Sequence, residues 1–417
     1  MFIARSQARI RAARIAFLLL AAIPTAVVVG WAGYIGSDAH RVAVERAWQR
    51  ATGLPLTIGR IDHPRPGVIR GHDCLLPATT ERPAVSISAI EVESSADEDR
   101  VRLGSLACDA ATASAMATLA RAWLMDPLRF DRTCIIDVTH FSWADEPTAV
   151  DAAGLRIECV ARAGSRAIRL VRRGDADDEV RLVRQMPAPS NDATDDRLEL
   201  DASCLTPVPL AVLAAAGGVL ADGHAAGLAA ARVSGELHAV REAGRWRGTA
   251  QGRIANVDLS AVAASVGGRA IGQATVDVTR IVWDDNRLSD GLVECATGSG
   301  WVDSRLFDRI VLATGARPGP AAVAEAESRE FDMAACLATI GPAGVQFLPA
   351  PRLPNALAIR DAAIVLAAPP APVPGDRLAW MLTTPGTAFG PAAGPGAWLM
   401  SVLPPLAPPE PSAGRQF

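Results

Sequence analysis

The chain has 417 residues, of which 50% are hydrophobic and 5% aromatic, and its formal net charge is −4. All 41 basic residues are arginines and no strongly basic segment stands out, so nucleic acid is excluded as an expected partner. A phosphate-binding loop of the Walker A type is excluded as well, because that loop requires a lysine.

The first 36 residues predict a membrane anchor. An uncharged apolar run covers residues 15–35, which is long enough to cross a bilayer as a helix. Basic residues that flank such a helix stay in the cytoplasm, so the rest of the chain is expected on the far side of the membrane. The basic flank consists of Arg5, Arg9, Arg11 and Arg14.

A cleaved secretory signal is the alternative interpretation of the same segment, since it also combines a basic start with an apolar middle. The length of the run and the lack of an A-x-A motif after it favour a retained anchor. Trp31 and Tyr34 stand at its far end, where aromatic residues at a membrane interface belong. Both interpretations place the bulk of the chain outside the cytoplasm.

The segment 37–205 predicts an amphipathic helix and then short strands that a second helix interrupts. The first helix is expected at 38–52, because Val44, Ala47 and Trp48 form one apolar stripe. The second is expected at 110–125, where the apolar spacing is again helical. Strands are expected at 56–61, 68–76, 85–92, 101–108, 134–141, 155–160, 168–171 and 180–183.

A polar, turn-rich stretch at 187–197 predicts a linker or long loop, and an apolar segment at 208–221 predicts a buried helix too short to span a membrane. Beyond residue 313 we expect weak structure, with a short helix at 320–327, one strand at 358–366 and a disordered tail from about 367. The second set of strands is expected at 233–240, 246–254, 271–283, 288–295 and 301–302. The boundaries divide the chain into regions 1–36, 37–205, 206–312 and 313–417.

Several of these strands alternate apolar and polar residues, which is typical of an antiparallel sheet with one face in water. The alternation predicts that Val276, Val278 and Val282 share one face, and it pairs Val85 with Ile87 and Val101 with Leu103. The sheet is therefore expected to have one continuous apolar face.

The seven cysteines form no C-x-x-C pair, which argues against a zinc or redox motif. Most are expected to be small buried residues of strands, and an oxidising compartment would allow one or two disulfides among the first four. The cysteines are Cys74, Cys108, Cys134, Cys159, Cys204, Cys295 and Cys336.

The histidines likewise form no motif of a metal site or of a hydrolase. We therefore expect no metal, no cofactor and no enzymatic activity. A deep polar pocket that gathers His72, His140 or His238 with carboxylates would reverse that expectation.

Two stretches resemble AsmA-like proteins. The segment VERAWQRATGLPLTIGRIDHPRPGVIRGHDCLL resembles the start of these proteins, where a membrane helix and a short amphipathic helix ending in Thr52-Gly53 precede a first strand at Leu56-Thr57-Ile58. Leu54 stands where the family usually has an arginine. The segment GRWRGTAQGRIANVDLS resembles the family's C-terminal β-region through Trp246, Gly248, Gly252, Val257, Asp258 and Leu259.

The resemblance implies a mainly β fold, with an N-terminal transmembrane helix followed by a curved, open antiparallel sheet that helices cap or fill. It also implies a non-catalytic periplasmic protein that binds or conveys phospholipid in an apolar groove and contacts the bilayer through residues 15–35. The expected groove residues are Val85, Ile87, Val101, Leu103, Val276, Val278 and Val282. The alternative is a structural or assembly protein of the cell envelope with a filled core, which would contact other envelope proteins.

Overall fold

The computed structural model describes residues 7–52, 55–77, 84–95, 97–125, 132–144, 153–173, 178–186, 196–217, 230–322, 327–381 and 401–403. The fold is mainly β, with one large curved sheet that does not close on itself. The helices are α1 (Gln7–Phe17), a π-helical turn (Leu18–Ala22), α2 (Ile23–Ile35), α3 (Asp38–Thr52), α4 (Ala110–Met125), α5 (Leu210–Gly217), α6 (Leu259–Ser265), α7 (Ser304–Thr314) and α8 (Gly375–Met381).

The first helices form one continuous rod. Residues Arg9–Ile35 are long and apolar enough to cross a membrane, at 27 residues with a mean hydropathy of 2.3, and none of their most apolar window is buried against the rest of the chain. At about 1.5 Å per residue the rod measures about 40 Å, which exceeds the ~30 Å hydrocarbon core of a bilayer. The π-helical turn lies just before Pro24, where a proline ring would clash with the carbonyl of a regular α-helix.

The large sheet contains most of the strands. They are β1 (Arg60–Arg65), β2 (Val68–Leu76), β3 (Val85–Ser94), β4 (Glu98–Cys108), β5 (Thr133–Trp143), β6 (Ala153–Arg162), β7 (Ser165–Arg173), β8 (Asp178–Gln185), β9 (Arg197–Pro209), β10 (Arg232–Glu242), β11 (Arg245–Asp258), β13 (Gln273–Asp284), β14 (Arg287–Thr297), β16 (Arg317–Pro318), β18 (Met333–Gly341), β19 (Gly344–Pro349), β20 (Ala358–Arg360) and β21 (Ala363–Ala367). A small second sheet holds β12 (Ala270–Ile271), β15 (Gly300–Asp303) and β17 (Ser328–Phe331).

Strand pairing follows the chain from β1 to β11, then passes through β13 and β14 to β18. β18 pairs with β19 and β20, and β21 joins β20 to β16. One pair, β4 with β5, is parallel. The reason is α4, which leads the chain from the end of β4 back to the start of β5, whereas the antiparallel pairs need only short turns.

Two predicted helices, α3 and α4, have the expected bounds, and the expectation of a mainly β fold with an open sheet is confirmed. The helix expected at 208–221 is shorter, because residues 206–209 extend β9 and α5 begins only at Leu210. The strand expected at 271–283 is divided at Gly272, whose φ of +148° is open to glycine but not to bulkier residues. Residues 187–195 and 218–229 lie outside the described residues.

The prediction of weak structure beyond 313 is wrong for residues 313–381. That region supplies β16 to β21 and α8, and the large sheet would end at β14 without it. The sequence signal is faint there because β18 consists largely of alanine, cysteine and glycine, which show little contrast between faces. Residues 320–322 form a turn rather than a helix, and most of the tail from 382 lies outside the described residues.

Candidate functional site

The large sheet has one charged face and one apolar face. On the charged face, arginines and carboxylates of neighbouring strands form ion pairs, as Glu91 does with Arg70 (2.6 Å) and Arg102 (2.9 Å). On the apolar face, directly opposed residues form an uninterrupted apolar row from β3 to β19. The row consists of Val92, Val101, Ile136, Ile157, Leu170, Val180, Ala202, Leu237, Ala250, Ile281, Gly291, Ile340 and Val345.

Helices fill the part of the apolar face nearest the anchor. Four of the expected groove residues lie there, and each is at most 9% exposed, inside one core cluster with residues of α4 and α5, against which Val44 and Trp48 of α3 pack. Their burial in this cluster means that they hold the helices on the sheet. These four residues are Val85, Ile87, Val101 and Leu103.

Two arginines, one buried and one partly buried, hold the C-terminal end of α4 on the apolar face. Arg166 of β7 donates a hydrogen bond to the carbonyl of Trp123 (2.7 Å) and lies 5.0 Å from the centre of its indole ring. Arg184 of β8 donates to the carbonyl of Leu124 (2.9 Å). Cations at a helix C-terminus satisfy carbonyls that lack helical partners. α4 is therefore fixed as a plug over β4 to β8.

Beyond the plug, the apolar face has no described cover from β9 to β13, and it is covered again at β18 and β19, where Ile340 and Val345 pack with Leu378 of α8. No described residue of β9, β10, β11 or β13 belongs to any of the hydrophobic core clusters. We call this part of the face the uncovered strip and define it by Ala250, Gly252, Val276, Val278 and Ile281 with their neighbours in the same rows. The neighbours are Ala202, Cys204, Val233, Gly235, Leu237, Ile254, Val293 and Cys295.

Solvent exposure along β11 shows the same openness. Its residues alternate between exposed on the charged face and half-buried on the apolar face, and none is fully buried. The apolar-face residues of the filled region are much less exposed, at 1% for Cys74 and 3% for Val138. An apolar face whose residues stay partly exposed along the whole strand has the sheet beneath it and no described layer above it. With 14 residues in β11, the strip is about 45 Å long in the strand direction.

The expected groove residues of β13 do not all share one face. Val276 and Val278 lie on the apolar face, opposite Ile254 and Gly252. Val282 lies on the charged face, opposite Thr249 and Asp290. The prediction that the three valines share one face is corrected here, because a β-bulge between Val278 and Arg280 inserts one residue and reverses the alternation.

Two glycines let adjacent strands of the strip approach closely. Gly235 and Gly252 are directly opposed, with φ of +147° and +152°. A Cβ on Gly252 would lie 2.2 Å from the carbonyl oxygen of Ser234, a distance that no real side chain occupies. The strip is thus flat and without side chains along this line, where the backbone itself is accessible.

The anchor is joined to the start of the sheet by polar contacts of α3. The carboxylate of Glu45 accepts hydrogen bonds from the backbone of Ile58 (2.8 Å) and from Arg41 (3.0 Å). The Nε2 atoms of His40 and His63 on β1 are 3.0 Å apart. Burial, together with the nearby His63, lowers the pKa of His40. These contacts place the start of the sheet beside the C-terminal end of the apolar rod. At the opposite end of the rod, Arg9, Arg11 and Arg14 are exposed. Arg5 lies outside the described residues.

The structure does not bring the three histidines of the enzyme hypothesis together. His72 on β2 contacts Asp62 (2.9 Å), His140 on β5 is exposed, and His238 on β10 contacts Asp201. Near His238, donor atoms of Glu199, Asp201 and His238 lie within 4.8 Å of one another and could hold a divalent cation. Sequence spacing missed this exposed cluster because only the β9–β10 register brings the histidine beside the carboxylates.

The geometry defines a class of architecture: an apolar N-terminal helix joined to a long open sheet whose apolar face is filled near the helix and, among the described residues, uncovered from β9 to β13. No protein-family model, no curated protein and no solved structure matches this chain.

Proposed function

We propose that this chain is a non-catalytic, AsmA-like protein of the diderm cell envelope that binds hydrocarbon chains of phospholipid in the uncovered strip. In this proposal the N-terminal rod is retained in the inner membrane, its basic flank is cytoplasmic and the sheet lies in the periplasm. The observation that carries the proposal is the continuous apolar row, which passes from beneath the plug into a region with no described cover.

Lipid tails fit this strip on physical grounds. Burial of a methylene group is worth about 0.8 kcal/mol, so an extended chain lying along half-buried valines and isoleucines gains affinity along its whole length. Exposed contiguous apolar surfaces of this size mark binding sites in soluble domains. The charged face, with its ion-paired arginines and carboxylates, offers a lipid tail no comparable surface.

The position of the anchor supports the same function. Because α3 fixes the start of the sheet at the end of the rod, a lipid leaving the bilayer would have only the length of the first strands to travel. Helices cover the apolar face of those strands, however, so the lipid would have to pass beside α4 or enter at an edge of the strip. Passage of lipid from the bilayer along the sheet therefore requires the plug to shift, whereas entry at an edge of the strip does not.

A second candidate is a structural or assembly protein of the envelope. The filled clusters beneath α3 and α4 favour it, because the part of the apolar face nearest the anchor serves only the core. In that case the uncovered strip would be the contact surface for another envelope protein.

Lipid mass spectrometry on the purified protein tests the proposal. The full chain and a variant of residues 37–417 without the anchor are compared; the fragment keeps 313–381 because β18 completes the sheet beyond β14. We expect both to retain phospholipid in stoichiometric amount, and only the full chain to sediment with membranes. Delipidated, monodisperse 37–417 that takes up no phospholipid from vesicles would refute lipid binding and favour the assembly protein.

A further inference from the structure

Four of the seven cysteines lie in two directly opposed pairs on the apolar face. Cys134 of β5 is opposite Cys159 of β6, and Cys295 of β14 is opposite Cys336 of β18. All four are thiols in the structure. Directly opposed residues of antiparallel strands have Cα atoms about 4.5–5.5 Å apart, which lies within the range that a disulfide bridges. Strand register therefore brings two potential disulfides into reach.

The two pairs have different surroundings. Cys159 is 8% exposed in a cluster with Trp123 and Leu124 of the plug, and Cys134 packs against the same cluster. Burial raises the pKa of Cys134 to about 11 and that of Cys159 to about 12. Thiols in this state hold almost no thiolate, which is the reactive form. This pair behaves as small apolar core residues.

The second pair lies at the border of the uncovered strip. Cys295 is opposite Val276 on its other side, both cysteines are partly exposed, and neither belongs to a core cluster. The Cys336 thiol donates a hydrogen bond to the sulfur of Cys295, which lowers the pKa of Cys295 against the effect of burial. The same hydrogen bond and burial raise the pKa of Cys336. The second pair thus differs from the first because it lies outside the core clusters.

We propose that Cys295 and Cys336 form a reversible cross-strand disulfide that joins β14 to β18, while Cys134 and Cys159 remain thiols. The Cys295 thiolate attacks one sulfur of an external disulfide, which forms a mixed disulfide and releases one thiolate. Cys336 then loses its proton and attacks the Cys295 sulfur, which releases the second thiol. Two protein thiols are oxidised and one external disulfide is reduced to two thiols.

The bond would close a loop that contains α7 and two strands of the small second sheet, β15 and β17, and it would fix the far border of the uncovered strip. The proposal rests on the proposed function only for its cellular setting, because an oxidising compartment is needed for the bond to persist. The chemistry itself is tested on purified protein, so the two can fail separately.

Thiol counting on the purified full chain tests the proposal. The protein is equilibrated in glutathione buffers of increasing oxidised fraction, denatured in acid, alkylated with a maleimide and measured by intact mass and peptide mapping. We expect the number of alkylated cysteines to fall from seven to five, with peptides of Cys295 and Cys336 joined, and the melting temperature to rise by several degrees.

Two variants provide matched controls. Cys134→Ser should still lose two thiols, whereas Cys295→Ser should lose none through an internal disulfide. The proposal is overturned if all seven thiols persist at the most oxidising potential, if Cys134 and Cys159 are joined instead, or if Cys295→Ser loses two thiols. If the disulfide forms in the purified protein but all seven cysteines are found as thiols in living cells, the proposed export is refuted and the disulfide proposal stands.

Discussion

Val278 and Val282 offer the sharpest test of lipid binding, because they are the same residue type on one strand, both half-buried, and on opposite faces. Val278→Gln places an amide in the uncovered strip. An amide buried without a hydrogen-bond partner costs about 1–3 kcal/mol, which corresponds to a loss of affinity of about 5-fold to 150-fold. Val282→Gln places the same amide on the charged face, beside Asp290, and should change affinity less than about 2-fold.

The assay is titration of the full chain with a phospholipid that bears an environment-sensitive fluorophore on one acyl chain. Unfolding by denaturant is measured for both variants, since each removes a similar valine from a half-buried position. A second series shortens the acyl chain: removal of two methylenes should weaken binding by about 15-fold, at about 0.8 kcal/mol each. Equal weakening by both variants, or affinity independent of chain length, would falsify the assignment of the strip as the lipid site.

Three further predictions concern the scaffold. Gly252→Ala should lower the free energy of unfolding by more than about 2 kcal/mol, measured by denaturant titration, because its Cβ would lie 2.2 Å from the Ser234 carbonyl oxygen; an unchanged midpoint would contradict the close strand approach. Trp123→Ala should lower it by about 3–5 kcal/mol and loosen the plug, seen as faster amide exchange in α4, because the indole is 5% exposed; unaltered exchange would show that the plug does not depend on it. The pKa of His40 is lowered in the folded state, so the stability that neutral His40 contributes is present above its unfolded pKa of about 6.5 and is lost as the pH falls below that value. Between about pH 8 and pH 5 the melting temperature should therefore fall less for His40→Asn than for the parent protein. Parallel curves of melting temperature against pH would contradict this.

The sequence by itself determined the helices α3 and α4, the apolar rod and most strands of the first half, because each has a local signal. α3 has an apolar stripe bounded by Ser37 and a Gly-x-Pro stop, and the rod is a single uncharged run. The alternation of apolar residues also predicted a two-faced sheet, which the continuous apolar row confirms. These features depend on neighbours within a few residues, which a sequence displays directly.

Only the tertiary structure decided which apolar residues are covered. Val101 and Val278 look alike in sequence, yet α4 buries the first and no described helix covers the second. One inserted residue at the bulge moved Val282 to the charged face, since a one-residue shift reverses every side chain that follows. The opposition of Cys295 to Cys336 depends on pairing between β14 and β18, whose partners are distant in the chain. Contacts between distant segments decide which residues a helix covers, which face of the sheet a side chain occupies and which residues of two strands are opposed. Local composition does not indicate those contacts.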